Sequence, residues 1–400
     1  MNIDAFRKIE GRAFYALAGL LGLVALIGLG AAHYMETHGH VVTGMNNQIV
    51  WGLPHVFAIF MIVAASGVLN IASIGSVFGK PVYKARAPLS GLLAIALLAG
   101  GLTVLMLDLG RPDRLIVAMT HFNFKSIFAL NVILYTGFFA IVAIYIWTMM
   151  DRKMYAYSKY AGFSAFIWRL ALTTATGSIF GFLVARQAYN SAILAPMFII
   201  MSFSFGLAVF ILVQSFMYAW NGMKLDPAIL RRMKNLLATF AGAVLYFTIV
   251  YHLTNLYFAK QASFERFILL DGGVFTNLFW VGHILIGTLI PIGLLLHPTI
   301  GAKLKTVLLA SSLIILGGFA QLYVLLIGGQ AFPLDIFPGM QVSSSFFDGA
   351  IQHYSPTLPE FLLGLGGLGI ALLITTIAVR VLNFLPRDDA HHSSKVAATD

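Results

Sequence analysis

Residues 88–114 read PLSGLLAIALLAGGLTVLMLDLGRPDR. The first twenty residues of this stretch carry no charge, whereas four of the next seven are charged. About twenty apolar residues is the length that an α-helix needs to cross the hydrocarbon core of a bilayer. The stretch therefore predicts a transmembrane helix that ends in a compact charged motif at the membrane surface.

The whole chain shares this apolar character. Hydrophobic residues make up 59% of its 400 positions, charged residues 10%, and the mean hydropathy is +0.88, whereas about a quarter of a soluble domain is charged. Ten continuous apolar runs are long enough to span a membrane: 13–32, 50–74, 88–107, 126–149, 162–185, 195–219, 236–258, 278–297, 306–328 and 361–382. We predict an all-α integral membrane protein of about ten transmembrane helices, with one domain over residues 1–384 and a short disordered tail over 385–400.

Lys and Arg residues are distributed unevenly between the two sides of these spans. Most of the 25 fall in the connections on one side, and the opposite connections hold six, namely Arg111, Arg114, Lys125, Arg186, Lys260 and Arg266. Cytoplasmic connections of membrane proteins are enriched in Lys and Arg, so both termini are predicted to be cytoplasmic. The formal charge of +10 thus reflects topology and does not indicate a nucleic-acid partner.

The sequence has no cysteine. Thiolate-bound iron–sulfur clusters, c-type haem and thiolate zinc sites all need cysteine, and none of these is expected in this protein. No metal site of another kind is predicted.

The charged motif that follows the third span contains Asp108, Arg111, Asp113 and Arg114. Its charges cancel, Gly110 allows a turn, and a proline suits the first turn of a helix. Carboxylates beside arginine stay ionised and can orient a polar headgroup. A charge-paired cap on the third span is an equally good interpretation from the residues alone.

This motif, with Asn123-Phe-Lys-Ser126 and Trp51-Gly-Leu-Pro-His-Val-Phe57 at the starts of two spans, resembles the NrfD/polysulfide reductase family of membrane subunits. Within the family, the DsrP branch of the DsrMKJOP complex is most similar. The family commonly has Asn-Pro-Arg-Ser at the second motif, so this protein keeps the polar ends and a cation but lacks the proline. The resemblance covers essentially the whole sequence.

The resemblance implies a multi-pass subunit of the bacterial inner membrane that binds quinone or quinol near the non-cytoplasmic side. The subunit would exchange electrons with a periplasmic iron–sulfur protein, in a complex of dissimilatory sulfur metabolism that includes a cytochrome c and other membrane and cytoplasmic subunits. Proton translocation is left open, because no continuous series of acidic residues crosses the predicted midplane.

Quinol oxidation releases two protons, and histidine and buried carboxylates are suitable acceptors. His55 and Asp108 are the predicted reacting residues. The full predicted quinone-binding set is Trp51, His55, Asp108, Arg111, Asp113, Arg114, His121, Asn123 and Lys125, and the candidates for a proton route are Tyr251, His252, Asn255, His283 and Arg169.

Each of these residues also has a structural interpretation. A single histidine within a span is more often a helix–helix contact than a base. Trp51, Trp280, Tyr251 and Tyr257 fit an interfacial aromatic belt. Arg169 could snorkel, pair with a carboxylate or line a half-channel, and Glu265 is expected to be a solvated loop charge.

Two other functions remain open from the residues. A b-type cytochrome needs two histidines at equal depth on facing helices, which His252 or His55 could form with His283. His297 lies fourteen residues after His283, but a two-haem site would need a matching pair on another span, so b-type haem is not expected. A proton-coupled transporter is the second alternative, although it predicts broken helices near the midplane rather than charges at one face.

Overall fold

The computed structural model describes residues 6–7, 11–334 and 349–386, and ten long helices dominate this part of the protein. We number them α1 Ala13–His38, α2 Leu53–Ser76, α3 Ala87–Leu107, α4 Ile127–Met150, α5 Ser158–Gly181, α6 Leu194–Trp220, α7 Pro227–Tyr257, α8 Val274–Leu296, α9 Leu304–Ala331 and α10 Leu358–Val381. The end of the bundle at which α2 begins and α3 ends is called the Asp108 end. The all-α membrane architecture predicted from the sequence is confirmed.

Nine of these described helices are long and apolar enough to cross a membrane, whereas the sequence predicts about ten spans. The difference is α5, which contains Arg169. The α5 helix nevertheless runs antiparallel beside α4: Trp168 Nε1 donates to the Leu134 carbonyl at 2.9 Å, and Asn131 Nδ2 donates to the Ala175 carbonyl at 3.2 Å. It therefore covers the same depth as α4, and one buried charge accounts for its lower apolarity.

Shorter elements join the long helices. Helical segments occur at Pro81–Lys84, Leu115–Thr120 and Ala259–Arg266, and single 3₁₀ turns occur at His40–Val42, Pro112–Arg114 and Tyr155–Tyr157. Phe6–Arg7 pairs with Leu385–Pro386 as a two-residue antiparallel ladder. Leu385 and Pro386, the start of the predicted tail, therefore belong to this ladder, and the rest of that tail lies outside the described residues. Residues 335–348 of the last predicted outer connection lie outside them as well.

The α2 helix forms the centre of the bundle. From Pro54 to Val68 every one of its residues is buried, and it packs against α3, α6, α9 and α10. A helix that is hydrophobic all round is expected in the interior. By contrast, α1 exposes most of its large side chains, as suits a helix at the lipid boundary. The position of α2 matters because its first turn carries His55.

The α1 and α10 helices pack against each other through glycines. A Cβ atom on Gly28 would collide with the backbone Cα of Gly366, and the reverse substitution would produce the same collision. Small residues allow transmembrane helices to approach this closely. The pair is anchored to the rest of the bundle because α10 also packs on α2 and α3.

We expect Gly28→Val to weaken the α1–α10 contact, because added volume in a packed interface costs about 1–3 kcal/mol. The measurement is the thermal unfolding midpoint of the detergent-purified protein, which should fall. Gly30→Val is the matched control, since a Cβ on Gly30 meets no atom within 4 Å. Equal unfolding midpoints for the two variants would contradict the glycine packing.

Candidate functional site

His55 and Asp108 meet at the Asp108 end of the bundle. His55 Nδ1 lies 2.7 Å from Asp108 Oδ2, and the Asp108 side chain is fully buried while 11% of the His55 side chain is exposed. The approach is close, but its angle is too poor for a hydrogen bond, and both carboxylate oxygens lack a hydrogen-bond partner among the described residues. A buried carboxylate in this state can accept a hydrogen bond or a proton from a ligand.

The first turn of α2 is held by residues at the start of α10. The Leu53 amide donates to the Tyr354 hydroxyl at 2.6 Å, and that hydroxyl donates to Glu360 Oε1 at 2.7 Å. Glu360 is fully buried, and its other oxygen accepts from the amide and hydroxyl of Thr357. Burial and the neighbouring Glu360 carboxylate raise the pKa of Tyr354. The neutral phenol therefore bridges α10 to α2 and fixes the position of His55.

Trp51 lies beside this pair. Its ring centroid is 6.2 Å from that of His55, 5.7 Å from Phe180 and 6.4 Å from Tyr189. Trp51 is thus a half-buried member of an aromatic cluster beside the pair. An aromatic wall next to a polar pair suits a flat ring that carries polar substituents.

A further histidine, His40, reaches the same region from the end of α1. Its Nε2 atom is 2.9 Å from where a Cβ on Gly110 would lie, and its Nδ1 atom is buried without a hydrogen-bond partner among the described residues. Gly110 has φ +69°, a left-handed conformation that favours glycine. Gly110 therefore lets the backbone turn two residues after Asp108. Because it has no side chain, it also leaves room there for the ring of His40.

The rest of the charged motif points away from the pair. Arg111 and Asp113 form an exposed ion pair, with Nη2 and Oδ2 3.0 Å apart and side chains 64% and 58% exposed. The hydrogen bond from Arg111 lowers the pKa of Asp113. Exposed side chains are also found at Arg114, His121, Asn123 and Lys125. The structure thus gathers Trp51, His55 and Asp108 and leaves the other six predicted binding residues on the connection between α3 and α4.

A second polar cluster lies at the same end, between α7 and the Ala259–Arg266 helix. His252 Nδ1 lies 2.6 Å from Glu265 Oε2, and Asn255 Nδ2 donates to Glu265 Oε1 at 2.8 Å. Glu265 is fully buried. The sequence-based interpretation of Glu265 as a solvated loop charge is wrong, because the short helix folds it back against α7.

Next to these residues is a small cavity of about 30 Å³, lined among others by Thr248, His252, His283 and Gln321. Thr248 Oγ1 lies 3.3 Å from His283 Nε2 and accepts from Gln321 Nε2 at 3.4 Å. The volume is enough for a water molecule or two. Together with Asn255 and Glu265, these four residues are called the Glu265 cluster.

Two of the helices that line this cavity depart from α-helical geometry. Leu278–Leu289 in α8 and Val324–Gly328 in α9 are π-helical, a conformation that is rare and frequent at functional sites. Tyr251 lies beside the cavity, but it is buried and donates to the Ala188 carbonyl at 2.5 Å, so it does not belong to an interfacial belt.

Arg169 lies away from both the His55–Asp108 pair and the Glu265 cluster. It is buried, its Nη2 atom donates to Asn70 Oδ1 at 2.5 Å, and its guanidinium lies over the rings of Phe166 and Phe203. The snorkelling interpretation is therefore wrong. Among the described residues, no group of three or more His, Asp or Glu side chains is arranged to hold a metal ion.

Comparison with known proteins places this geometry in a family. The family model described as "Polysulphide reductase, NrfD" matches residues 41–334. The chain belongs to the NrfD polysulfide reductase family. The match begins before α2 and ends after α9, so the family region holds Trp51, His55, Asp108 and the whole Glu265 cluster. The α1 and α10 helices lie outside the family region. The same is true of His40, Tyr354 and Glu360.

Several curated relatives extend over most of the sequence. The Hdr-like menaquinol oxidoreductase integral membrane subunit of Archaeoglobus fulgidus is 28% identical over 384 residues, which span 95% of this protein and 96% of the relative. A selenate reductase subunit of Mesobacillus selenatarsenatis is 21% identical, and the match spans 94% of this protein and 95% of the relative. A polysulfide reductase subunit of Wolinella succinogenes is 21% identical, with 72% and 96% spanned. The family predicted from the sequence is confirmed, and assignment to the DsrP branch stays a prediction.

Sequence reasoning missed His40, Tyr354 and the buried role of Glu265. The run Thr357-Leu-Pro-Glu360 is a recognisable helix-start signature and could have identified Glu360 as a cap. No local signal links Tyr354 to Leu53 or His40 to Gly110, because these contacts join segments that are far apart in sequence.

We expect Glu265→Ala to lower the free energy of unfolding by about 1–3 kcal/mol, because it leaves the buried Asn255 and the half-buried His252 without their partner. Asp271→Ala is the control from the same connection. Asp271 forms an exposed pair with Arg266, and its loss should change the stability by no more than about 0.5 kcal/mol. Chemical unfolding of the purified protein measures both, and equal stabilities would show that Glu265 is not a structural partner of α7.

Proposed function

We propose that this protein is the quinone- and quinol-interacting membrane subunit of a multi-subunit redox complex, and that its reacting site is the His55–Asp108 pair. The observation that carries the proposal is the buried Asp108 carboxylate, which lies beside His55 and has no hydrogen-bond partner among the described residues. A quinol presents two hydroxyl donors, which match such an acceptor. The menaquinol oxidoreductase subunit named above supports a quinol as the substrate.

The pair can act as a proton acceptor. When a quinol is oxidised to a quinone, two O–H bonds break, two electrons leave and two protons must be accepted. The Asp108 carboxylate accepts the proton of one hydroxyl and the adjacent imidazole of His55 accepts the proton of the other as the two electrons depart. Because His55 is the more exposed of the two, protons leave through it toward the Asp108 end. The distribution of Lys and Arg predicts that this end faces away from the cytoplasm.

The electrons need an acceptor outside this protein, because a cysteine-free sequence cannot hold an iron–sulfur cluster through thiolates. We propose an iron–sulfur protein docked at the Asp108 end, with a cytochrome c and further subunits of a Dsr-type complex beyond it. Relatives named as subunits of polysulfide and selenate reductases support membership of a larger redox assembly. A role in dissimilatory sulfur metabolism and a place in the bacterial inner membrane are parts of this proposal.

Asp108→Asn tests the proposed site. The amide removes the ionisable acceptor but keeps the size of the side chain, so we expect quinol-linked electron transfer by the intact complex to fall about 100-fold, the contribution of a positioned acid–base group. Turnover is measured with menaquinol and an artificial electron acceptor. Asp271→Asn, which neutralises an exposed carboxylate at the same end, should keep normal turnover. Normal turnover of a fully assembled Asp108→Asn complex would rule out the proposed role.

The Glu265 cluster supports proton transfer as a second function. Two imidazoles, a hydroxyl and an amide line a cavity that is large enough for water, and the Glu265 carboxylate contacts one of these imidazoles, that of His252. Groups of this kind within a membrane bundle are costly and mark proton relays in pumps and transporters. We propose that the Glu265 cluster takes up a proton during quinol turnover and that it forms one half of a translocation route.

His283→Leu tests this second role, since it removes the buried imidazole that contacts Thr248. We expect electron transfer to continue with a lower ratio of protons translocated to electrons transferred. The ratio is measured with the complex reconstituted in sealed vesicles that contain a pH-sensitive dye. Leu285→Met on the same helix, where the side chain is 44% exposed, serves as the control. An unchanged ratio in His283→Leu would exclude the cluster from proton transfer.

A further inference from the structure

The side-chain amide of Gln330, near the end of α9, holds the backbone at Trp51. Its Oε1 atom accepts from the amides of Val50 and Trp51 at 2.9 and 3.0 Å, and its Nε2 atom donates to the Trp51 carbonyl at 3.0 Å. Gln330 is buried, with 1% of its surface exposed. Because the amide contacts the backbone on both sides of one residue, it fixes the direction in which the Trp51 ring projects.

The backbone of α9 is joined to the same segment by a second set of contacts. Arg186 donates to the Gln330 carbonyl at 3.1 Å and to the Gln48 carbonyl at 2.8 Å. Gln48 Nε2 in turn donates to the carbonyls of Gln330 and Ala331, both at 3.0 Å. The segment over residues 48–51 is therefore docked on the end of α9 by its backbone and by polar side chains together.

Gln330 is also hydrogen-bonded to the π-helical segment of α9, Val324–Gly328. In a π-helix each carbonyl accepts from the amide five residues later rather than four. The Leu326 carbonyl in this segment also accepts from Gln330 Nε2 and from the Tyr189 hydroxyl, both at 2.9 Å. Tyr189 packs its ring near Trp51. The two residues that donate to the Leu326 carbonyl thus both lie against Trp51.

The same π-helical segment lies between the Glu265 cluster and the residues that hold Trp51 beside His55. Val324 and Leu325 line the cavity of the Glu265 cluster, and Leu326 is the next residue along α9. A shift of the α9 backbone at the cavity would change the hydrogen bonds of Gln330 and, through them, the placement of Trp51 beside His55.

We propose that Gln330 is a positioning residue for quinol binding, which acts by holding Trp51 against the His55–Asp108 pair and so links that pair to the Glu265 cluster. This inference rests on the proposed function. Gln330 does not contact the reacting atoms. It sets the geometry of the aromatic wall against which the quinol ring would lie.

A double-mutant cycle in the intact complex tests this role. Gln330→Met removes the amide at similar volume, and we expect the KM for menaquinol to rise about tenfold with kcat changed much less, since lost ground-state positioning raises KM. If Gln330 acts through Trp51, the double variant Trp51→Ala, Gln330→Met should have the KM of Trp51→Ala alone to within about twofold. Gln214→Met, which changes another buried glutamine away from both clusters, should leave KM unchanged.

Independent, multiplied effects in the double variant would overturn the proposal, as would a KM equal to wild type in Gln330→Met. If Gln330→Met does not assemble, Gln330→Glu replaces it in the cycle, because a carboxylate keeps the acceptor for the Val50 and Trp51 amides but removes the donor to the Trp51 and Leu326 carbonyls and repels both. The same criteria then apply. The two proposals can fail independently of each other. Normal turnover in Asp108→Asn would rule out the quinol site itself. If Asp108→Asn loses turnover but the effects of Trp51→Ala and Gln330→Met on KM multiply, only the role of Gln330 is ruled out.

Discussion

The burial of Asp108 beside His55 is the interaction on which the site depends. A carboxylate within a membrane bundle is costly unless it is paired or protonated, and this one has a single close imidazole and two oxygens without hydrogen-bond partners among the described residues. The arrangement is less stable than a fully hydrogen-bonded carboxylate such as Glu360, which has partners on both oxygens. The contrast distinguishes the proposed reactive carboxylate, Asp108, from a carboxylate whose hydrogen bonds hold two helices together, Glu360.

Both carboxylates converge on the first turn of α2. Asp108 approaches His55 from the end of α3, and Glu360 approaches Leu53 through Tyr354 from the start of α10. Because α2 is buried on all sides, its first turn cannot move without disturbing several neighbours. The helices outside the family match therefore do more than enlarge the bundle: α10 supplies a rigid attachment for a site that lies within the family region.

The sequence predicts the helices well, since apolarity over twenty residues is a local property of each segment, and it predicts His55, Asp108 and Trp51 because they lie in or beside conspicuous motifs. The structure places Arg111 and Asp113 apart from these three residues, as an exposed ion pair with each other. The sequence underestimates Glu265 because a carboxylate in a connection looks solvated until the short helix that carries it is seen to fold back. Pairings such as Gln330 with Trp51 depend on the three-dimensional contact of α9 with the segment before α2, which no local pattern records.

The position of the two clusters at one end of the bundle has an electrostatic consequence. In the proposed reaction, oxidising a quinol at Asp108 would leave positive charge at that end until the protons depart. A second carboxylate at the same end, Glu265, lies within the same low-dielectric bundle, where charge interactions are weakly screened, and it would attract this positive charge. Such an effect is a long-range charge interaction. The hydrogen bonds from Leu326 through Gln330 to Trp51 would instead link the two sites by setting the position of the Trp51 ring. The hydrogen-bonded link is more specific than the charge interaction, because it depends on the one side-chain amide of Gln330 and on the π-helical segment of α9. The charge interaction depends on all the charges at that end of the bundle.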